Sequence, residues 1–212
     1  MAAPALPTTF TRAGLTAAGF EGWRTWPELR GASLVDVPRT PATYVVVRDT
    51  SAPPRFTTTS TGGWFQGRDP TVSVDVLAAK WVDGATTVYI GKADIARRRL
   101  NQYARFGAGQ TVGHRGGRFI WQLSDADTLL IAWHPITWDE PAAEYEHRLL
   151  QHFKALHGHL PFANLRSSGT AWRLRRPPNS RRVVPDHASV RQRPAAAGVR
   201  PRTRPTAEPP RW

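Results

Sequence analysis

The chain has 212 residues, 40% of them hydrophobic and nine of them Trp, enough for one ordinary domain with a real core plus appendages. It contains no cysteine, which excludes a disulfide framework, a thiolate metal site and a cysteine nucleophile and leaves only oxygen and imidazole ligands for a metal. The net charge of +13 is uneven: residues 165 to 212 hold twelve Arg against Asp186 and Glu208, a net +10, so residues 1 to 164 carry only +3.

A polyanionic partner is therefore suggested mainly by the tail. Lys occurs only three times, so an Arg-favouring codon bias with a solvated basic tail is the plain alternative. The opening MAAPALPTTFTRAG lacks a basic segment followed by an apolar run, and no stretch approaches the roughly 18 apolar residues of a membrane span. A soluble, cytoplasmic protein that engages no membrane is expected.

In chain order, residues 1 to 40 place Phe10, Leu15, Phe20, Trp23, Trp26 and Leu29 among Gly and Pro. They are too apolar for a free tail and too broken for a long helix, and read as an extension packed on the core. The run TYVVV from Thr43 predicts a buried strand. Residues 50 to 85 form a long excursion, with a short helix expected around Val72 to Trp81 because structureless loops of that length are unusual. TTVYIG (86 to 91) predicts a strand ended by Gly91, and DIARRRLNQYARF (94 to 106) a helix stopped by Gly107. RFIWQL (118 to 123) and TLLIAWHPI (128 to 136) predict two more strands around a turn at Ser124 to Asp127. A second helix runs from about Pro141, with Asp139 or Glu140 near its start, to Leu156 before Gly158. Beyond Asn164 the composition shifts to Pro, Arg, Ala and Ser, and disorder is expected from about residue 178.

Helical periodicity selects the first chemical candidates. At about 100° per residue, Glu146 falls between Leu149, Leu150 and Phe153, while Glu144 falls on the far side with Arg148 and Gln151. An inward carboxylate is costly without a cation, either a metal or an arginine. In the earlier helix, Ile95, Arg99, Tyr103 and Phe106 share one face, and Arg97 and Arg98 point elsewhere. An inward Arg with a Tyr one turn later, beside a strand end, suits a phosphate pocket, because guanidinium binds phosphate bidentately. An internal Glu146–Arg99 pair with no catalytic task is the competing reading. The loop GAGQTVGHRGGR (107 to 118) mixes five Gly with His114, Arg115 and Arg118, so its backbone could approach a polyanion closely.

Taken together, TYVVV, VYIGKADIARRRLNQY, EYEHRLL and PFAN resemble the ordered motifs of the GIY-YIG nuclease superfamily over residues 42 to 164, about three fifths of the chain. The middle segment is the most specific, resembling the N-terminal incision domain of the nucleotide-excision-repair endonuclease and GIY-YIG restriction endonucleases. On this resemblance Tyr44 matches the first motif's tyrosine, Tyr89 the second's, Arg99 the helix arginine, Glu146 the metal-binding glutamate and Asn164 the closing asparagine. Lys92 and Tyr103 match further active-site positions of repair-type members, and His114 is added as a phosphate or nucleophile contact. The sequence departs from the family where Ala42-Thr43-Tyr44 replaces Gly-Ile-Tyr, and the long gap from Tyr44 to Tyr89 implies an insertion at 50 to 85.

The resemblance implies an α+β fold, a small mainly antiparallel sheet flanked by helices, over residues 41 to 165, between the extension (1 to 40) and the Arg/Pro-rich tail (166 to 212). It also implies a metal-dependent endonuclease that leaves 5′-phosphate and 3′-hydroxyl ends, with Mg2+ or Mn2+ on Glu146, a restriction, defence or repair role, and a nucleoid location. In that chemistry Arg99 binds the scissile phosphate and Tyr44 or Tyr89 accepts a proton from the nucleophile, which requires nearby cations such as Lys92 and Arg99 to lower a phenol pKa from about 10. Double-stranded DNA is the implied partner, and cutting both strands with one site per chain favours a homodimer; the glycine-rich loop and the basic tail of this sequence offer Arg115, Arg118, Arg173, Arg175 and Arg176 as its contacts. The alternative from another class is an inactive nucleic-acid-binding module of the same fold.

Overall fold

Six consecutive residues, Ala42–Val47, are buried without alternation, which requires that their strand be covered on both faces. The computed structural model describes residues 4–31, 34–113, 116–136 and 140–165 of the chain. It is α+β: strands β1 (Glu21–Thr25), β2 (Ala42–Val47), β3 (Thr87–Ala93) and β4 (Leu130–Pro135) form one antiparallel sheet in the order β1-β4-β2-β3. Among the described residues five α-helices accompany it: α1 (Arg12–Ala17), α2 (Trp26–Gly31), α3 (Val74–Ala78), α4 (Ala96–Gly107) and α5 (Ala142–His157). No helix of the described residues is long and apolar enough to cross a membrane.

The pleat of β2 sends Tyr44 and Val46 into one core with Trp26, Leu100, Tyr103 and Trp121, and Val45 and Val47 into a second with Leu15, Tyr145, Leu149 and Phe153. Helices α2 and α4 therefore cover one face of the sheet and α1 and α5 the other. Residues 1 to 40 do more than lie on this core, since β1 pairs with β4 as an edge strand of the sheet.

The expected strand at 118 to 123 is instead a 3-10 turn, Arg118–Gln122. Gly117, at φ 71°, turns the chain in the left-handed region, and Phe119, Ile120, Trp121 and Gln122 are then all buried. Four successive inward side chains do not fit a pleat with one covered face. Backbone partners come from the 50 to 85 excursion instead: Thr57 N–H donates to Gln122 O at 2.8 Å and Thr61 N–H to Trp121 O at 3.0 Å. The Gln122 side chain accepts from Val72 N–H and donates to Val72 O, both at 2.9 Å. The excursion thus closes over this turn and contains α3 within the expected helical stretch.

The glycines read as terminators differ. Gly91 does not end β3, which continues to Ala93 opposite Ala42. Gly107 is the last residue of α4, and a Cβ there would come within 2.2 Å of the Trp121 ring. Gly158, at φ 77°, does cap the C-terminus of α5.

Candidate active site

β3 forms an edge of the sheet, and Gly91 puts no side chain between the layers there. Groups from the α4 face and from the α5 face meet at this edge, in a cleft of about 340 Å3 whose lining includes Tyr89, Lys92, Ile95, Arg98, Arg99 and Glu146. Helix α4 serves two surroundings with two stripes. Ala96, Leu100, Tyr103, Ala104 and Gly107 are buried in the core, while Ile95, Arg98, Arg99 and Gln102 recur at i, i+3, i+4 and i+7 along the cleft.

Two sequence expectations change accordingly. Ile95 is 37% exposed and belongs to the cleft stripe. Arg98, expected to point away, lines the cleft beside Arg99. The i, i+3, i+4, i+7 spacing was the available signal, obscured because Ile95 suggested the apolar face. Arg97 instead holds the preceding segment, donating from Nε to Val37 O at 2.9 Å and from Nη2 to Val35 O at 2.8 Å.

Glu146 is 8% exposed on the inward side of α5. Among the described residues it makes no hydrogen bond and no ion pair, so the internal Glu146–Arg99 salt bridge is not formed. Burial pushes its carboxyl up to about 7, against the opposing charges of Lys92 and Arg99. Such a carboxylate gains from a cation. Among the described residues there is no group of three His, Asp or Glu able to enclose one, so a divalent ion bound here would rely on Glu146, water and substrate oxygens, a donor set that suits Mg2+ or Mn2+.

The three tyrosines are not equivalent. Tyr89 lines the cleft, whereas Tyr44 is fully buried beneath it. The Tyr44 hydroxyl lies near Arg99 and Tyr89 without completing a hydrogen bond of good geometry to either. Burial raises the pKa of Tyr44 despite the charge of Arg99. It raises that of Tyr89 well above the ordinary phenol value, with Tyr44 and Glu146 adding to the rise. Arg99 pulls both phenols down, as the sequence suggested, but at each of them burial outweighs that pull. Around Arg99, burial opposes the guanidinium charge, but Tyr44, Tyr89 and Tyr103 favour it and its pKa rises, so it stays charged.

Tyr103 is fully buried and donates to Gly117 O at 2.6 Å. Its hydroxyl holds the glycine loop, which distinguishes it from a group facing substrate. The neighbouring Gly116 lies against the site: a Cβ there would be 2.9 Å from Tyr89 Oη and 3.8 Å from Arg99 Nη2. Asn164 is buried behind β3, accepting from Ile90 N–H at 2.9 Å and donating to Ile90 O at 2.8 Å, so it completes the strand edge. Lys92 is exposed on the cleft wall. Arg118 opens its 3-10 turn with its guanidinium 5.0 Å from the Phe119 ring centre, and the cleft lining does not include it. His114, Arg115, Arg173, Arg175 and Arg176 lie outside the described residues, as do Asp139 and residues 166 to 212, where the disordered tail was expected. Comparison with protein-family models, with curated proteins and with solved structures finds no match for this chain.

Proposed function

We propose that the chain is a metal-dependent endonuclease of the GIY-YIG class that hydrolyses DNA to 5′-phosphate and 3′-hydroxyl ends. One observation carries this reading: Tyr89, Lys92, Arg99 and Glu146, drawn from a strand and from helices on opposite faces of the sheet, line one cleft in which Glu146 has neither hydrogen-bond nor ion-pair partner among the described residues. Arg99 binds the scissile phosphate through its fork of N–H donors and offsets the charge gathering on its oxygens. Lys92 adds a second positive charge on the exposed wall. Glu146 holds the cation, whose chemistry when bound is stabilisation of the leaving 3′ oxygen.

Burial favours the neutral form of both phenols in the metal-free protein, and in that form Tyr89 is a hydrogen-bond donor that orients water or phosphate. Tyr44 supports Tyr89 and Arg99 from below. Asn164 keeps β3 in register at Ile90.

The test is cleavage of supercoiled plasmid with Mg2+ or Mn2+ at low salt, comparing wild type with Glu146→Ala purified identically. Nicking or linearisation that EDTA stops and the variant lacks supports the proposal. A folded wild type that binds plasmid, branched DNA and RNA but cuts none under either metal replaces it with the binding-module reading.

A further inference from the structure

The outer side of α4 continues the cleft into a second, shallower groove of about 650 Å3, lined by Leu34, Arg39, Arg97, Arg98, Asn101 and Arg105 among others. Ile95, Arg98 and Gln102 belong to both surfaces, so the two are contiguous. Four of the lining residues are arginines and none is acidic.

Like Arg55, Arg68 and Arg99, the groove arginines have no carboxylate partner among the described residues. Elsewhere among the described residues Arg12, Arg24, Arg30, Arg48 and Arg148 each pair with a carboxylate. Asp36, whose carboxyl feels the charge of Arg97, is itself bound by Arg24. Arg97 is committed to the carbonyls of Val35 and Val37, and Arg105 to Gln110 Oε1 at 2.7 Å. Those bonds fix the walls, while Arg39 and Arg98 stand exposed with no hydrogen-bond partner among the described residues.

A contiguous run of uncompensated guanidinium groups, with Asn101 and Gln102 between them, matches a linear array of phosphates better than a single small anion. We propose that this groove carries the sugar-phosphate backbone of duplex DNA beyond the cleft, with Arg98 at the junction binding the phosphate next to the one held by Arg99. The inference rests on the nuclease reading for its direction along the strand, but backbone binding in the groove can be measured without cleavage.

The experiment uses the full chain in EDTA and follows anisotropy of a short fluorescent DNA duplex at several salt concentrations. Arg39→Ala/Arg98→Ala/Arg105→Ala is compared with wild type and with Arg12→Ala/Lys80→Ala/Lys154→Ala, which removes the same charge from other surfaces. The groove variant should bind at least about tenfold more weakly, and its plot of log affinity against log salt should be shallower by roughly 2 to 3, since each phosphate contact contributes about 0.9. The comparison variant should stay close to wild type. Equal losses in both variants, an unchanged groove variant, or a wild type that binds no duplex would overturn the proposal. So would a groove variant that loses affinity only for single-stranded RNA. A wild type that binds as described yet never cuts removes the nuclease reading and leaves the groove standing.

Discussion

Tyr44 and Gly91 face each other in the β2–β3 pair, and the phenol ring of Tyr44 fills the space a side chain at position 91 would need: a Cβ there would be 2.7 Å from both Cζ and Oη of Tyr44 and 2.8 Å from Cε1 of Tyr89. Neither ring can retreat, because both are packed into the core with Tyr103. Gly91→Ala should therefore destabilise the fold by about 1 to 3 kcal/mol, the usual range for overpacking. Urea unfolding checks this, and a Tyr44→Leu background should recover part of the loss. Equal costs in both backgrounds would mean that the tyrosine ring is not what excludes the methyl group.

The Tyr44 hydroxyl separates support from chemistry. It is buried without a well-formed hydrogen bond, so Tyr44→Phe should leave stability unchanged or raise it by about 1 kcal/mol. If Tyr44 only positions its neighbours, the variant should keep most of any cleavage rate, whereas Tyr89→Phe should lose more because Tyr89 reaches the cleft. Parallel unfolding and cleavage measurements on the two variants decide it; a larger rate loss for Tyr44→Phe would reverse the assignment.

Arg99→Ala should lower the cleavage rate on the order of 10² or more, as for other oriented donors to a transition state. Arg99→Lys should recover little, because an ammonium cannot reproduce the fork. Single-turnover rates at saturating protein separate this from weaker binding. A wild-type rate for purified Arg99→Ala would remove Arg99 from the chemistry.

Glu146 gives the metal-free protein a pH-dependent stability. Its carboxyl moves from an ordinary 4.5 to about 7 on folding, so folding favours the protonated form. This contribution is fully present below pH 4.5 and is lost as pH rises through about 7. Glu146→Gln, which cannot ionise, should therefore be more stable than wild type at pH 8 by a few kcal/mol in EDTA, with the difference shrinking towards pH 5. Thermal melts at the two pH values measure it. A variant no more stable at pH 8 would show that the carboxylate already has a favourable partner.

Asn164 supplies both a donor and an acceptor to Ile90. Asn164→Ala should cost about 1 to 3 kcal/mol, and Asn164→Asp at least as much at neutral pH, because a carboxylate cannot donate to the Ile90 carbonyl. Faster amide exchange at Ile90 should accompany Asn164→Ala, which removes the acceptor of its N–H, and be smaller in Asn164→Asp, whose carboxylate still accepts. Unchanged exchange would place the stabilisation elsewhere.

Much of the frame was readable where side-chain pattern and backbone preference agree. The β-branched run of β2 has no competing helical period, and the spacing of Glu146, Leu149, Leu150 and Phe153 suits only a helix with that face inward. The segment 118 to 123 misled because its aromatic and β-branched residues satisfy strand preference, while the deciding facts are the left-handed Gly117 and the tertiary bonds of Gln122. Within the cleft, helical spacing could place Arg99 near Glu146, but the competition between burial and charge at Tyr44 and Tyr89 depends on depth, which spacing does not encode. Arg98 was missed because one exposed isoleucine shifted the apparent boundary of the apolar face.

The pairing of residues 163 and 164 with β3 also bears on assembly. Ala163 N–H donates to Val88 O, and Asn164 pairs with both polar groups of Ile90, so the outer margin of the sheet is occupied at these two residues. At the opposite margin β1 is bulged between Glu21 and Arg24, with Gly22 at φ 101° and Trp23 at φ 48°. A strand from another molecule finds a regular ladder at neither margin. Among the described residues, two copies brought together on one duplex would therefore meet through side chains and not through a shared sheet.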